Sequence, residues 1–186
     1  NTLISQLKSC PQLSTRFYNA PNNRRLSDLL DFQHIIQVND LEDKNVLVIT
    51  RSQLWQGLVL RAKYPEKFNV ALQCESSDEE ENKFVRRISA GHANFQELVV
   101  MTPELKIETS TTLEIKQILA ESCASIEEPE PSSLFVRFSY RRDLDVSENE
   151  TQVAEYLKSA YVQLDRDAIA MIRMLAQSES LNILVN

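Results

Sequence analysis

The sequence predicts an α+β fold in which a curved antiparallel sheet of six to seven strands wraps round one long C-terminal helix. Three observations predict it. Between Val70 and Arg141, apolar residues recur with period two in short segments separated by turn signals. After Ser147 the period becomes that of a helix and holds to about Gln177. A shorter helical stretch, "VITRSQLWQGLVLRAKYPEKF", interrupts the strand pattern early, from Val48 to Phe68.

Residues 1 to 31 read as an N-terminal extension and residues 32 to 180 as the folded domain. The extension is polar, holds Pro11 and Pro21, and shows little periodicity beyond a short helix expected near Ser27 to Leu30. In "FQHIIQVND", Phe32, His34, Ile36 and Val38 share one face of a first strand, although Ile35 interrupts the alternation. The early helix follows. Thr50 with Gln53 forms a capping box, and Ile49 with Leu54 a hydrophobic staple. Leu54, Leu58 and Ala62 make one stripe, widened by Trp55 and Val59, and Pro65 breaks the helix. Gly57 in its middle costs about 1 kcal/mol relative to Ala, which points to close packing at that place.

Strands come next. Val70, Leu72 and Cys74 alternate; the acidic run Asp78 to Glu81 reads as a solvated loop. "KFVRRISAGHANFQELVVM" reads as a hairpin about Gly91-His92, with Gly at the first central position of a type II′ turn. That turn sets Phe84 opposite Val99, Arg86 opposite Glu97 and Ile88 opposite Phe95, all on the inner face. Further strands are expected at Leu105 to Thr111, Gln117 to Ile126 and Ser133 to Arg141. In the second of these the small residues Ala120, Ser122 and Ala124 share a face. In the third, Leu134, Val136, Phe138 and Tyr140 do. The acidic "EEPEPSS" is the loop between them. Ser147 and Glu150 make a second capping box, and Val153, Leu157, Ala160, Leu164, Ala168, Ile172 and Leu175 form the stripe of a helix about 45 Å long. Such a helix covers the apolar face of the sheet. A pocket should remain where the facing side chains are small, with the early helix closing one end.

Composition narrows the function. A net charge of -7 argues against a nucleic-acid partner, which asks for a basic face. Three widely spaced cysteines, Cys10, Cys74 and Cys123, suggest reduced thiols in a cytoplasmic protein. No apolar run approaches membrane-spanning length, and the N-terminus lacks the continuous apolar stretch of a secretory signal. With only two glycines and two histidines, no phosphate loop, dinucleotide fingerprint, nucleophile elbow or zinc helix can be written. No cofactor and no metal are expected.

"HIIQVND", "VITRSQLWQGLVLRAKYPEKF", "FVRR", "IEEPEPSSLFVRFSY" and "AEYLKSAY" together resemble the AtaL-like proteins of the START/polyketide-cyclase (SRPBCC) superfamily, over about residues 32 to 178. The resemblance implies the helix-grip fold and a hydrophobic cavity between sheet and long helix. Superfamily members bind lipids, sterols, polyketides or other apolar small molecules, and some are cyclases or hydrolases. It carries over no catalytic residues.

The candidates for the cavity wall are His34, Arg86, Glu97, Val99, Ala120, Ser122, Ala124, Phe138, Tyr140 and Tyr156. Each has a plainer reading. Arg86 and Glu97 could be a structural ion pair, His34 a satisfied core histidine, and Tyr140, Tyr156 and likewise Tyr161 on the last helix either cavity handles or ordinary packing. Trp55 reads as core filler, His92 as a turn residue, Cys74 as a buried inert thiol, and Arg61 as a partner for carbonyls at its helix end. The expected function is binding of a hydrophobic small molecule such as a lipid or polyketide. The alternative is a cyclase- or hydrolase-like enzyme acting on such a ligand. Convergence of His34, Arg86, Glu97 and Tyr140 on one void would favour the enzyme; scattering would favour the binder. A homodimer is compatible with the sequence.

Overall fold

The computed structural model describes residues 29–43, 46–112, 118–144, 150–178 and 181. Seven strands run as β1 (Leu29–Gln37), β2 (Leu72–Glu80), β3 (Lys83–Ala90), β4 (Ala93–Thr102), β5 (Lys106–Thr111), β6 (Ala120–Glu127) and β7 (Phe135–Asp143). They form one antiparallel sheet in the order β1-β7-β6-β5-β4-β3-β2. Among the described residues two α-helices accompany it: α1 (Arg51–Lys63), between β1 and β2, and α2 (Glu150–Gln177) after β7. This is the α+β helix-grip arrangement. The chain returns to its start: β1 pairs with β7, so the first and last strands are neighbours, and β1 and β2 are the edges of the sheet.

The helix α1 begins where the capping box places it. The Thr50 side chain accepts from the Gln53 amide, and the Gln53 side chain accepts from the Thr50 amide. It ends at Lys63, and Pro65–Lys67 continue as a single 3₁₀ turn. Leu54, Gly57, Leu58, Leu60 and Ala62 are all buried, so more than the expected stripe is covered. Gly57 is the contact with α2: a Cβ built there would lie 2.4 Å from Cγ2 of Ile172, itself fully buried. The missing side chain lets the helices meet. Arg51 pins the first turn to the sheet through the carbonyls of Glu104 (2.9 Å) and Ile126 (3.3 Å) and the carboxylate of Glu128 (3.1 Å).

Asn39, 0% exposed, ties together three segments just after β1. Its Nδ2 donates to the carbonyls of Ile49 (2.9 Å) and Ser132 (2.8 Å), and its Oδ1 accepts from the Ile49 amide (3.1 Å). Arg173 of α2 adds bonds to the carbonyls of Val38 and Leu47. A buried amide with its bonding satisfied from three directions fixes the loop between β1 and α1.

The hairpin of β3 and β4 has the expected register, with Phe84 opposite Val99, Arg86 opposite Glu97 and Ile88 opposite Phe95. Gly91 sits at φ 60, and no positive φ occurs at His92, as a type II′ turn requires. Other expectations change. Leu29 and Leu30 are strand, opposite Asp143 and Arg142, and not helix. Ser27 and Asp28, the start of that expected helix, lie outside the described residues, as does Ser147 of the second capping box. Val70 is 96% exposed and precedes the strand that its alternation predicts it to start. The acidic stretch Asp78 to Glu80 belongs to β2. As an edge strand, β2 leaves one side to solvent, where acidic residues are tolerated and hinder edge-to-edge pairing. Of the expected stripe on α2, Val153 and Leu164 are over two-fifths exposed (42% and 41%), whereas Asp165, Ala168, Ile169, Ile172 and Ala176 are buried.

Candidate ligand cavity

The inward face of β7 runs Val136, Phe138, Tyr140, and the neighbouring strands extend it: His34 of β1 lies opposite Phe138, and Ser122 of β6 opposite Tyr140. Against this face α2 sets Asp165, 0% exposed. Its Oδ2 accepts from the Tyr140 hydroxyl at 2.6 Å and lies 2.8 Å from Nε2 of His34. Its Oδ1 accepts from Nη2 of Arg61, on α1, at 2.7 Å. Four elements thus meet on one carboxylate. A buried charge is tolerable only when paired and hydrogen-bonded in this way.

The rings around it stack. Tyr140 and Tyr161 lie 4.4 Å apart at 9°, His34 and Phe138 5.4 Å apart at 21°, and Phe32 and Tyr140 5.4 Å apart at 20°. Burial pushes the Tyr140 hydroxyl well above the usual tyrosine pKa, and the Asp165 charge adds to it. Burial by itself would lower the Arg61 pKa. The Asp165 carboxylate and Tyr140 outweigh it, so Arg61 is raised and stays a cation.

A second charged pair faces inward from the other half of the sheet. Nε and Nη2 of Arg86 each lie 2.8 Å from Oε2 of Glu97, and Nη1 donates to the carbonyl of Ala62 at 2.5 Å. Arg86, not Arg61, therefore takes a carbonyl at the end of α1, that of Ala62; Arg61 turns to Asp165.

Between these pairs lies a cavity of about 280 Å³. Leu58, Leu72, Ile88, Ile107, Ala124 and Phe138 give it apolar walls. Arg61, Arg86, Thr109, Ser122, Tyr140 and Tyr161 place polar atoms among them, and half-exposed Leu164 stands at its rim. A smaller space of about 110 Å³ adjoins it, sharing Thr109, Ser122, Tyr140 and Tyr161 and bounded further by Glu97, Ala120, Glu121, Arg141 and Arg142.

Of the residues singled out from the sequence, Arg86, Ser122, Ala124, Phe138 and Tyr140 line the cavity, and Glu97 and Ala120 line the space beside it. Val99 is wholly buried in the core. His34 is not on the wall: it points at Asp165 from within the ring stack. Tyr156 is 74% exposed, because it stands about 140° round the helix from Tyr161, which does face the cavity. Sequence reasoning missed Asp165 and Arg142; Tyr161, which it read in the same way as Tyr140 and Tyr156, lines the cavity. Asp165 has a signal, since it sits at helical spacing between Tyr161 and the buried Ala168, Ile169 and Ile172. Among the described residues no group of three His, Cys, Asp or Glu could hold a metal ion, and no helix is long and apolar enough to cross a membrane.

The model of one family, described as acetylaranotin biosynthesis cluster protein L, matches residues 36–179, well over half of the chain. The chain belongs to the AtaL family. Among curated proteins none matches this AtaL-family chain. Solved structures share its fold at low identity. The di-domain ARO/CYC StfQ from the steffimycin biosynthetic pathway has a TM-score of 0.64 at 10% identity, over 83% of this chain and 52% of that one. The ZhuI aromatase/cyclase from Streptomyces sp. R1128 has a TM-score of 0.59 at 7% identity, over 80% and 94%. A START superfamily protein from Mycobacterium smegmatis has a TM-score of 0.58 at 11% identity, over 78% and 98%. The AtaL-family chain spans about half the length of the di-domain proteins it matches.

Proposed function

We propose that this chain binds a hydrophobic small molecule in the cavity between the sheet and α2. One observation carries the reading: an apolar void of about 280 Å³ into which a few polar groups converge from fixed positions. Small-molecule sites run from about 300 to 1,000 Å³ with this kind of lining. With a volume just under that range, a compact ring system suits the cavity better than a long-chain lipid. Arg61 and Arg86 each carry a carboxylate partner, so their remaining N–H groups serve as donors to ligand oxygens and not as free positive charge. The aromatase/cyclase neighbours support a polyketide-like metabolite as the ligand class.

The test is native mass spectrometry of the full chain from cell lysate, followed by denaturing extraction, beside the variant Ala124→Trp. A compact apolar metabolite released from the natural chain and absent from the variant supports the reading. An empty protein that also ignores a panel of polyketide-like and lipid probes overturns it.

An enzymatic role on the same ligand, cyclase- or hydrolase-like, is favoured by one feature. Tyr140 lines the cavity, and its hydroxyl shares Asp165 with His34, an arrangement in which a proton can be held and passed. Against it, His34 does not reach the void, and both Arg86 and Glu97 are committed to each other. Once a ligand is known, Tyr140→Phe separates the two. A binder keeps its ligand unchanged in composition. An enzyme keeps binding and loses product.

A further inference from the structure

Resting on the cavity reading above, we propose that the smaller space beside the cavity is an anion subsite, where Arg142 takes the carboxylate of a compact aromatic carboxylic acid whose ring body fills the larger void. The argument starts from strand alternation. Val136, Phe138 and Tyr140 face inward, so Arg142 does too, between Leu30 on β1 and Ala120 on β6. Its inner neighbour Ala120 is small, which leaves the guanidinium room over the sheet.

Both arginines on the described wall of the main cavity are neutralised: Arg61 by Asp165 at 2.7 Å and Arg86 by Glu97 at 2.8 Å. Arg142 is different. Among the described residues no carboxylate lies within ion-pair distance of it. Its one side-chain hydrogen bond runs from Nη1 to the Tyr161 hydroxyl at 3.1 Å, and its Nε is buried with no partner. A guanidinium offers five donors in a planar fork that fits a carboxylate. Leaving a buried donor of this kind unmatched is costly, and a ligand carboxylate would remove that cost.

Two protein carboxylates also border the space, and neither takes this role. Glu97 is held by Arg86. Glu121 alternates along β6 with Ala120 and Ser122, and its cross-strand partner is Arg141. The hydroxyl-bearing Thr109 and Ser122 stand on the wall shared with the main cavity, so one ligand can reach from one space into the other. Arg141, which also borders the space, is paired with Asp31 at 3.3 Å, so a volume of about 110 Å³ with one guanidinium not paired to a carboxylate among the described residues suits a monoanionic carboxylate.

The experiment is calorimetric titration of the full chain with 2-naphthoate and with its neutral isostere 2-naphthamide. The natural chain should bind the carboxylate at least tenfold more tightly than the amide. Arg142→Met should abolish that preference and leave amide binding intact, which also shows that the variant is folded. Arg142→Lys should keep part of the preference, and Arg87→Met, on the exposed face, should keep all of it. Equal binding of the two probes by the natural chain, or a preference that survives Arg142→Met, overturns the anion subsite and leaves the cavity reading standing. Binding of neither probe overturns the subsite, and the cavity reading is then decided separately by the extraction experiment.

Discussion

The hydroxyl of Tyr140 donates to the buried carboxylate of Asp165 over 2.6 Å, joining the last strand to the middle of the last helix. The same oxygen receives His34, and the other oxygen receives Arg61, so the carboxylate joins β1, β7, α1 and α2 at one point. The cavity wall depends on this point for its shape.

Replacing Asp165 by Asn should therefore cost about 3 kcal/mol, the low end for breaking a buried ion pair, since Arg61 keeps some contact with water. Urea unfolding would measure it. A loss below about 0.5 kcal/mol would mean that the Asp165 charge contributes little to holding the four elements together.

Tyr140 should ionise well above the usual tyrosine range, which absorbance near 295 nm can follow. Its folded-state pKa is raised above that of the unfolded chain. The stability this contributes is fully present below about pH 10 and is lost as pH climbs through the raised value. Tyr140→Phe should lower stability by about 1.5–3 kcal/mol near neutral pH, as expected for a bond to a charged group. It should also remove the part of the alkaline decline that belongs to this residue.

Gly57→Ala should destabilise the protein although Ala is the better helix former. The gain in helix propensity is about 1 kcal/mol. The new Cβ would fall 2.4 Å from Cγ2 of Ile172, an atom branching next to the backbone that cannot swing aside. Overpacking of this kind costs about 1–3 kcal/mol or more. A thermal melt that rises in the variant would show that α1 and α2 are free to move apart.

Asn39→Ala should leave the Ile49 amide, and the carbonyls of Ile49 and Ser132, without their side-chain partner in a buried place. We expect a loss of about 2–3 kcal/mol in urea unfolding. Hydrogen exchange should quicken at Ile49 before it does in the centre of the sheet.

Much of this fold was legible from local rules. The Thr50 box set the start of α1, Pro65 its end, and the Gly91 turn set the β3–β4 register, because each depends on neighbours a few residues away. The inward faces of β3, β4, β6 and β7 followed from period two. Even the contact at Gly57 left a trace, as a glycine that helix propensity disfavours. Tertiary structure decided which residues turn those faces into a site. Asp165 is one acidic residue in a helix rich in charge. Only the convergence of His34, Arg61 and Tyr140, from segments over a hundred residues apart in the chain for two of the three, makes its burial tolerable. Likewise Tyr156 and Tyr161 look alike on paper, and the rotation of α2 against the sheet exposes one and buries the ring of the other against Tyr140. Periodicity determines that a helix has an inner side. The packing of that side against distant strands determines which polar groups it can hold there, because burial of a charge depends on partners the local sequence does not contain.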